Sequence, residues 1–272
     1  MPAPSTALIT GASAGLGREL VRQLVRDRGM TVYATARRLD RLGELRSELP
    51  EGEVHVLAGD IASAQFRASL WDWAERESGG IDLLVNNAGV GHYADFAEQD
   101  PAEVRRIVEV NVMAVFDLTQ RAIRAMRARR RGEIVEVSSV LGTFGIPYSA
   151  AYVASKHAVD GLVKSVRHEL RGSGVSLWAL RPGRFASEFR QASLGGRGTD
   201  HAKPGGPVEA IARSLVRNLG TRKAFVTPTL GATLTVAVPH WLPAQFEAFM
   251  RWLGPERFAR EVGGAIKRSS AP

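Results

Sequence analysis

The stretch Thr6–Val25 constrains the fold more than any other, because a short apolar run leads directly into a glycine-rich turn and then into a helical pattern. Thr6–Thr10 reads TALIT, Gly11–Gly17 reads GASAGLG, and apolar residues recur at helical spacing over Glu19–Val25. Glycines let a backbone approach a phosphate closely, and a helix N-terminus offers unpaired N–H groups and positive partial charge. The stretch therefore predicts a dinucleotide-binding turn, although its glycine spacing differs from the commoner G-x-G-x-x-G.

The rest of the chain repeats this alternation of strand-like and helix-like segments. Ser63 is a plausible helix N-cap, and Pro101 suits the first position of a helix. Alternation at this spacing indicates right-handed βαβ crossovers and a parallel sheet in an α/β fold. We expect strands near residues 31–36, 53–58, 82–85, 133–138, 175–180 and 224–227, and helices near residues 40–49, 63–77, 100–129, 152–170 and 208–219.

Length and composition suit a globular protein of one large domain or two small ones. The chain has 272 residues, of which 44% are hydrophobic and 24% charged. It contains no Cys, which excludes a disulfide, a thiol nucleophile and a Cys-ligated metal, and we expect no metal site. The absence of Cys fits a reducing compartment and the first apolar run begins by Ala7, so we expect a cytoplasmic protein without a signal peptide.

The net charge of +8 raises the question of a nucleic acid or an anionic membrane as partner. Arginines are spread along the chain, with clusters at Arg37–Arg41 and Arg124–Arg131. They do not alternate with aromatic residues as in a groove that binds nucleic acid. Solvated helix faces explain the charge better, and we expect no nucleic-acid partner.

Three residues after the fifth strand suggest acid–base chemistry. Tyr152 and Lys156 are four residues apart, so both would project from one helix face. A cation beside a phenol lowers the tyrosine pKa from its usual ~10. Ser139 follows the apolar run 134–137 and could bring a hydroxyl to the same place. Tyr-x-x-x-Lys alone is a weak motif, and a surface helix pair is the alternative.

At this point the chain resembles the short-chain dehydrogenase/reductase family over residues 6–227. The matching residues are Thr10-Gly11-x-x-x-Gly15-x-Gly17, Asp60, Asn86-Asn87-Ala88-Gly89, Asn111, Ser139, Tyr152-x-x-x-Lys156 and Pro182-Gly183. The resemblance implies a single Rossmann-type domain, with a doubly wound seven-stranded parallel sheet, helices on both faces and a nicotinamide cofactor. It also implies a catalytic set of Asn111, Ser139, Tyr152 and Lys156.

The resemblance implies a role for each catalytic residue. Ser139 and Tyr152 would hydrogen-bond the substrate oxygen as a hydride adds to the carbonyl, and Tyr152 would supply the proton. Lys156 would lower the tyrosine pKa and bind the nicotinamide ribose. Asn111, an unfavourable residue for the middle of a helix, would connect Lys156 to solvent through water and an irregular helix; a solvent-facing Asn is the alternative.

The resemblance also implies the cofactor contacts. The glycine-rich turn would hold the pyrophosphate, Asp60 would accept from the adenine amino group, and Asn86 would line the adenosine ribose. Ser187 stands where the family often has Thr, and could bond the carboxamide. The full expected set is Gly11, Ser13, Ala14, Gly15, Leu16, Gly17, Arg37, Arg38, Asp60, Ile61, Asn86, Ala88, Gly89, Tyr152, Lys156, Pro182, Gly183 and Ser187.

The end of the second strand predicts a preference for NADP(H) over NAD(H). Relatives that prefer NAD carry an Asp there, which would repel a 2′-phosphate. This chain has Ala36 at that position, followed by Arg37 and Arg38, and a guanidinium binds phosphate through two N–H bonds. The alternative is that both arginines are solvated loop charges.

The C-terminal part departs from the family pattern. Residues 224–246 contain no Asp, Glu, Lys or Arg, but Pro228, Gly231, Pro239 and Pro243 interrupt them, so a membrane-spanning helix is not expected. We divide the chain into a catalytic domain, residues 1–230, and a helical tail, residues 231–272. The tail would pack on the domain or on a partner subunit of a homodimer or homotetramer. A weak membrane-surface contact is the alternative, through Trp241, Phe249 and Trp252.

The sequence therefore predicts an NADP-dependent oxidoreductase that moves a hydride between NADP(H) and a carbonyl or secondary alcohol. A non-catalytic NADP(H)-binding regulatory protein is the alternative, but such a protein has no need of Ser139 or Tyr152. We expect a lipophilic substrate, because the residues expected to line its pocket are largely apolar, with His92 at the polar rim. These residues are His92, Tyr93, Thr143, Phe144, Ile146, Phe185 and the segment 186–206.

Overall fold

Seven parallel strands form one sheet, in the order β3-β2-β1-β4-β5-β6-β7. The computed structural model describes residues 5–185, 189, 193–194, 206–255 and 257. The strands are β1 (Thr6–Thr10), β2 (Thr31–Ala36), β3 (Val54–Ala58), β4 (Leu83–Asn86), β5 (Gly132–Val137), β6 (Val175–Leu180) and β7 (Phe225–Val226). The strand order reverses between β1 and β4, and a sheet of this type binds ligands in the crevice at that reversal.

Helices cover both faces of the sheet, which confirms the predicted doubly wound α/β architecture. The helices are α1 (Gly15–Arg28), α2 (Leu39–Ser47), α3 (Ala64–Ser78), α4 (Pro101–Val108), α5 (Ala114–Arg129), α6 (Ala150–Glu169), α7 (Val208–Asn218), α8 (Leu230–Trp241) and α9 (Pro243–Leu253). Short 3₁₀ turns cover Phe96–Glu98 and Val140–Gly142.

The two faces of the sheet bury separate apolar cores, because side chains alternate along each strand. Ile9 of β1 packs in the core that contains residues of α1 and α7, while the neighbouring Leu8 packs with residues of α3, α5 and α6. Both side chains are fully buried, and burying such a side chain contributes about 1.5–3 kcal/mol. These cores hold the carboxyl ends of the central strands in fixed positions beneath the crevice.

Local helix signals account for two of the helix starts. Ser63 caps α3 and accepts a hydrogen bond from the Phe66 N–H, and Asp100 caps α4 with Pro101 at its first position. The predicted helix 100–129 is divided, because Glu109–Met113 forms a π-helical turn between α4 and α5. Asn111 lies in this turn, where the wider hydrogen-bond pattern is typical of functional sites.

Two helices follow β7 and pack beside the ends of β5 and β6. A Cβ on Gly183 would lie 3.3 Å from the Cβ of Ala232 in α8, and the Phe144 and Phe246 rings are 5.4 Å apart in an edge-on contact. Pro239 lies inside α8, so our expectation that it interrupts this segment was wrong, whereas Pro243 begins α9. In the part of the chain that the structure describes, no helix is long and apolar enough to span a membrane.

Candidate active site

The glycine-rich turn needs its glycines because the end of β4 lies directly against it. Gly11 has φ +70°, a conformation that favours glycine, and a Cβ there would lie 2.8 Å from the Cα of Ala88. A Cβ on Gly17 would collide with the carbonyl oxygen of Gly11. The close packing of strand, turn and helix thus sets where α1 begins.

The N-terminus of α1 is suited to bind an anion. Ala14 occupies the N-cap, no side chain of the described residues caps the helix, and its first turn carries no acidic residue. The first N–H groups of this helix therefore keep their hydrogen-bonding capacity and positive partial charge. They face a cavity of about 300 Å³, whose wall on this side comprises Gly11, Ser13, Ala14, Gly15 and Leu16.

Asn87 joins the ends of β1 and β4 below the cavity, a role that the sequence analysis did not assign. Its side-chain amide donates to the carbonyl oxygens of Thr10 at 2.9 Å and Gly11 at 3.2 Å. Thr10 Oγ1 in turn accepts from the N–H groups of Asn87 and Ala88. These bonds hold the segment 87–90, which forms one wall of the cavity, against the glycine-rich turn.

Asn86 does not line the cavity, and our expectation for its side chain was wrong. Its amide donates to Thr119 Oγ1 at 3.1 Å and to Glu136 Oε1 at 3.2 Å, and the residue is buried. Neighbouring residues of a strand point to opposite faces of the sheet, so Asn86 follows Leu84 into the core below α5.

The far end of the cavity carries the residues expected to meet the adenosine. Ala36, Arg37 and Arg38 follow one another at the end of β2, and Asp60 and Ile61 follow β3; all five line the cavity. Arg37 and Arg38 are exposed, and Arg38 Nη2 donates to Ser13 Oγ at 3.3 Å. The cavity wall thus presents two guanidinium groups and no carboxylate at the end of β2.

Arg106 is a cavity residue that no local sequence signal indicates. Its Nη1 and Nη2 donate to Asp60 Oδ2 at 2.7 Å and Oδ1 at 2.8 Å, and Asp60 Oδ1 also accepts from the Ala62 N–H. The Arg106 guanidinium holds the pKa of the Asp60 carboxyl below its ordinary value, although burial acts the other way. The orientation of Asp60 is therefore set by α4, 46 residues further along the chain.

Ser139, Tyr152 and Lys156 come together at the carboxyl end of β5. Ser139 follows β5 with its side chain next to Tyr152, and the Lys156 Nζ lies 5.7 Å from the centre of the Tyr152 ring. Burial raises the pKa of the Tyr152 hydroxyl to about 12, against a lowering by the Ser139 hydrogen bond. Our expectation of a tyrosine pKa below its ordinary value was wrong for this structure, because desolvation of the phenol outweighs the influences that lower the pKa.

Lys156 is buried and its charge is balanced by two carboxyl groups. Its Nζ donates to the Val137 carbonyl oxygen at 2.8 Å. Burial lowers the pKa of Lys156 to about 8, while Asp160 and Glu136 act to raise it. Glu136 is itself fully buried beside Thr119, and burial raises its pKa to about 7. The lysine therefore titrates near the physiological range rather than at its usual ~10.4.

Asn111 lies inside the π-helical turn and is fully buried, which excludes the solvent-facing alternative. Its Oδ1 accepts from the Val90 N–H at 2.9 Å, and its Nδ2 donates to the Val90 carbonyl oxygen at 2.9 Å and to Ser155 Oγ at 3.0 Å. A Cβ on Gly89 would lie 3.4 Å from Asn111 Oδ1 and 3.8 Å from Lys156 Nζ. Asn111 thus fixes the cavity wall next to the lysine.

Aromatic residues lie between the cavity and the Ser139–Tyr152–Lys156 cluster. Phe185 and Phe189 line the cavity, and the Phe189 ring is 5.8 Å from the Tyr152 ring. His92 is buried, with its Nε2 3.3 Å from Glu103 Oε2, so our prediction of a rim position was wrong. Ser187 and most of the segment 186–206 lie outside the described residues.

Pro182 and Gly183 follow β6 and lie beside the turn that carries Ser139. The Pro182 carbonyl oxygen accepts from the Val140 N–H at 3.1 Å. The two groups of sequence-predicted residues, the dinucleotide turn and the Ser–Tyr–Lys cluster, therefore stand at the same edge of the sheet, after β1 and β5, with β4 between them. Their donors, glycine contacts and unpaired helix N–H groups fit a nicotinamide dinucleotide.

Together the fold and this site place the chain in the class of oxidoreductases that act on alcohols or carbonyls with a nicotinamide cofactor. The family model for short chain dehydrogenases matches residues 5–196, and the chain belongs to this family. It is 34% identical over 201 residues to a farnesol dehydrogenase from Aedes aegypti, covering 71% of this chain and 82% of that one.

Two solved structures support the same fold. An alcohol dehydrogenase from Thermococcus sibiricus, in complex with 5-hydroxy-NADP, is 26% identical, with a TM-score of 0.72 and coverage of 82% of this chain and 95% of that chain. A short-chain dehydrogenase/reductase from Burkholderia phymatum, in complex with NAD, is 24% identical, with a TM-score of 0.79 and coverage of 92% and 96%. Proteins of this fold thus bind either NADP or NAD.

Proposed function

We propose that this protein is an NADP(H)-dependent carbonyl reductase or alcohol dehydrogenase in which Tyr152 is the general acid and base. The observation that carries the proposal is that Ser139, Tyr152 and Lys156 meet at the carboxyl end of β5, with Lys156 Nζ 5.7 Å from the centre of the tyrosine ring, at the sheet edge that also carries the dinucleotide turn. A protein that only binds the cofactor would gain nothing from this Ser–Tyr pair. The proposal therefore favours turnover over a regulatory role.

Each residue of the cluster has a distinct part in the proposed reaction. The bound cofactor supplies or accepts the hydride. Ser139 and Tyr152 hydrogen-bond the substrate oxygen, where negative charge develops during reduction, and stabilise it as an oxyanion hole does. Lys156 binds the nicotinamide ribose hydroxyls, and Asn111 holds the site of proton entry next to the lysine.

The raised pKa of Tyr152 suits the proton donor that the proposed carbonyl reduction needs. With a pKa of about 12, the phenol is protonated at neutral pH and can donate to the forming alkoxide, which is a much stronger base. Oxidation would first require removal of that proton, and protonated Lys156 is the cation close enough to favour the phenolate.

The proposed preference for NADP(H) is supported by the end of β2. Ala36 removes the carboxylate that would repel a 2′-phosphate, and Arg37 and Arg38 line the same end of the cavity. A charge-assisted contact to phosphate contributes roughly 1.5–3 kcal/mol. This corresponds to a preference of about 10- to 150-fold.

Apolar contacts around Tyr152 support a lipophilic substrate. The Phe189 ring lies beside Tyr152, and Phe144 contacts Phe246 of α9 at the turn that follows Ser139. The similarity to a farnesol dehydrogenase agrees with such a substrate. We propose a ketone, aldehyde or secondary alcohol with a hydrophobic body, reached from the side on which α8 and α9 lie.

The outer face of α8 and α9 supports a homo-oligomer. Large apolar side chains are exposed there, and α8 contains no Asp, Glu, Lys or Arg. We propose that a second copy covers this face in a homodimer or homotetramer. The proposal treats the tail, residues 231–272, as a unit separate from the catalytic domain, residues 1–230. A lipid surface is the alternative occupant, and a cytoplasmic location remains a prediction from the sequence. The exposed residues are Leu230, Leu234, Val238, Trp241, Leu242, Phe249 and Trp252.

A carbonyl panel tests the proposed activity. Purified protein is incubated with NADPH and a series of aldehydes and ketones of increasing apolar size, and the loss of absorbance at the NADPH maximum is followed. We expect turnover that rises with apolar size and falls when NADH replaces NADPH. Tight NADPH binding without turnover on any member of the panel would support the regulatory alternative instead.

A further inference from the structure

A buried carboxylate that is not in the expected catalytic set connects the segments that carry that set. Asp160 lies four residues after Lys156 on the same face of α6, and 1% of its surface is exposed. Its Oδ1 accepts from Ser138 Oγ at 2.7 Å. Its Oδ2 accepts from Arg181 Nε at 2.9 Å and Arg181 Nη2 at 2.8 Å. Both oxygens are therefore engaged by residues that follow two neighbouring strands, β5 and β6.

The two partners of Asp160 each precede a residue of the expected site. Ser138 is followed by Ser139, and Arg181 is followed by the Pro182–Gly183 turn. The Arg181 guanidinium also lies 3.4 Å from the centre of the Phe225 ring on β7, which fixes its plane. One carboxylate thus ties α6, which carries Tyr152 and Lys156, to the ends of β5 and β6.

The turn after Ser139 packs directly on this carboxylate. A Cβ on Gly142 would lie 2.7 Å from Asp160 Oδ2 and 2.9 Å from Ser138 Oγ. The Val140 N–H donates to the Pro182 carbonyl oxygen, so the same turn is also bound to the end of β6. The backbone that carries Ser139 is therefore held from two sides.

We propose that Asp160 is a positioning residue for the reaction: through Ser138 and Arg181 it sets where Ser139 and the Pro182–Gly183 turn stand relative to Tyr152. Hydrogen bonds to a charged acceptor are about twice as strong as neutral ones, which suits a carboxylate for this role. A buried Asp–Arg pair contributes little net stability compared with apolar packing, but losing one partner is costly. The proposal rests on the proposed function of Ser139 and Tyr152.

The charge of Asp160 has a second consequence at Lys156. The charged and titratable groups around Lys156 are Tyr152 and Asp160 on α6 and Glu136 on β5, and Arg181 faces Asp160 from β6. Since Asp160 acts to raise the pKa of Lys156, removal of its charge lowers that pKa further below about 8. As the pH rises, a function that needs the protonated lysine is then lost at a lower pH in the variant than in the wild type.

Two variants separate the position of Ser139 from the charge at Lys156. Asp160→Asn keeps the shape but removes the charge, and Ser138→Ala removes one hydrogen bond and keeps the charge. We expect both to lower kcat for carbonyl reduction by roughly tenfold or more, because a small displacement of Ser139 misaligns the oxyanion contacts. On the alkaline side of the pH profile, kcat/KM for NADPH should begin to fall about one pH unit earlier in Asp160→Asn only; this part of the profile is its alkaline limb.

A control pair and a double variant distinguish this role from simple stabilisation. Asp117 and Arg67 form another Asp–Arg pair, 2.7 Å apart with Arg67 buried, between α5 and α3. Asp117→Asn should lower the melting temperature without moving the alkaline limb. The double variant Asp160→Asn/Arg181→Met also removes the guanidinium that Asp160→Asn leaves unpaired. It should recover thermal stability relative to Asp160→Asn, but it should recover neither the wild-type kcat nor the wild-type alkaline limb of kcat/KM.

The pH dependence of NADPH affinity gives a readout that does not require turnover. The Kd for NADPH, measured by fluorescence without substrate, should begin to rise at a lower pH in Asp160→Asn than in wild type and Asp117→Asn. Full recovery of kcat in the double variant, or a Kd curve that coincides with wild type, would overturn the role of Asp160. A wild type without turnover would contradict the proposed function, and the Kd curves would still decide the role of Asp160.

Discussion

The carboxylate of Asp60 is held by the guanidinium of Arg106 through two N–H···O bonds of 2.7 and 2.8 Å. Asp60 follows β3 and Arg106 lies on α4, so this pair closes one end of the cofactor cavity from two distant segments. The proposed acceptor for the adenine amino group therefore depends on a residue that no local motif contains.

Arg106→Met should weaken NADPH binding several-fold, because Asp60 loses the partner that orients it. The exposed neighbour Arg105 offers a matched control, and Arg105→Met should leave the Kd unchanged. Isothermal titration of each variant with NADPH checks this. Equal Kd values for wild type and Arg106→Met would show that the orientation of Asp60 does not matter for the cofactor.

The same substitution should change how stability depends on pH. The pKa of Asp60 is lowered in the folded protein, so its pairing stabilises the fold above the unfolded pKa of ~3.9 and is lost as the pH falls through the folded pKa. Arg106→Met should therefore reduce the free energy of unfolding modestly at pH 7, since Asp60 is half exposed. The difference from wild type should shrink below about pH 4 in urea titrations; a constant difference would argue against the pairing.

Lys156→Ala should damage cofactor affinity and rate together, since one ammonium is proposed to serve the ribose and the phenol. We expect kcat/KM to fall by at least about 10²-fold and the Kd for NADPH to rise. Lys164, an exposed lysine of α6, provides the control through Lys164→Ala. An unchanged cofactor Kd in Lys156→Ala would contradict the ribose contact.

The end of β2 should decide the cofactor. Arg37→Ala should lower the ratio of kcat/KM for NADPH to that for NADH by about tenfold or more, because a phosphate contact is lost. Ala36→Asp should shift preference towards NADH, since it restores a ribose acceptor and repels the 2′-phosphate. A wild type that prefers NADH, or a ratio unchanged in Arg37→Ala, would defeat the assignment.

The exposed apolar face of α8 and α9 should be needed for assembly and not for chemistry. Replacing Trp241 and Trp252, which are 76% and 66% exposed, by Ser should reduce the native mass while kcat stays close to wild type. Light scattering of wild type and the double variant measures the mass. An unchanged mass, with loss of binding to lipid vesicles instead, would favour the membrane surface as the occupant.

Sequence reasoning predicted most of the fold because its signals are local. The glycine-rich turn, the strand positions and the Ser63 cap each depend on residues close together in the chain, and the structure confirms them. The short β7 was also predicted, as a seventh strand, whereas the helix around Asn111 was predicted to run unbroken over residues 100–129 and its irregularity was implied only by the family resemblance.

The expectations that were wrong concern burial and the direction of side chains. Asn86 could have been placed from strand alternation, since it shares a face with Leu84 and not with the cavity residue Asn87. The pKa of Tyr152 could not have been predicted from the sequence, because its desolvation depends on packing with segments that are distant along the chain. Phe189, whose ring contacts the Tyr152 ring, is one example. The contacts of Asp160 and Arg106 likewise join segments whose proximity only the folded chain shows.

The most direct test of the central claim is the rate of Tyr152→Phe. This change removes the hydroxyl that is proposed to donate the proton and keeps the ring that contacts Phe189. With the best carbonyl of the panel, we predict that kcat for NADPH oxidation falls by about 10²- to 10⁴-fold, while the Kd for NADPH stays within about twofold of wild type. Reduction that survives within about tenfold of the wild-type rate would contradict Tyr152 as the general acid.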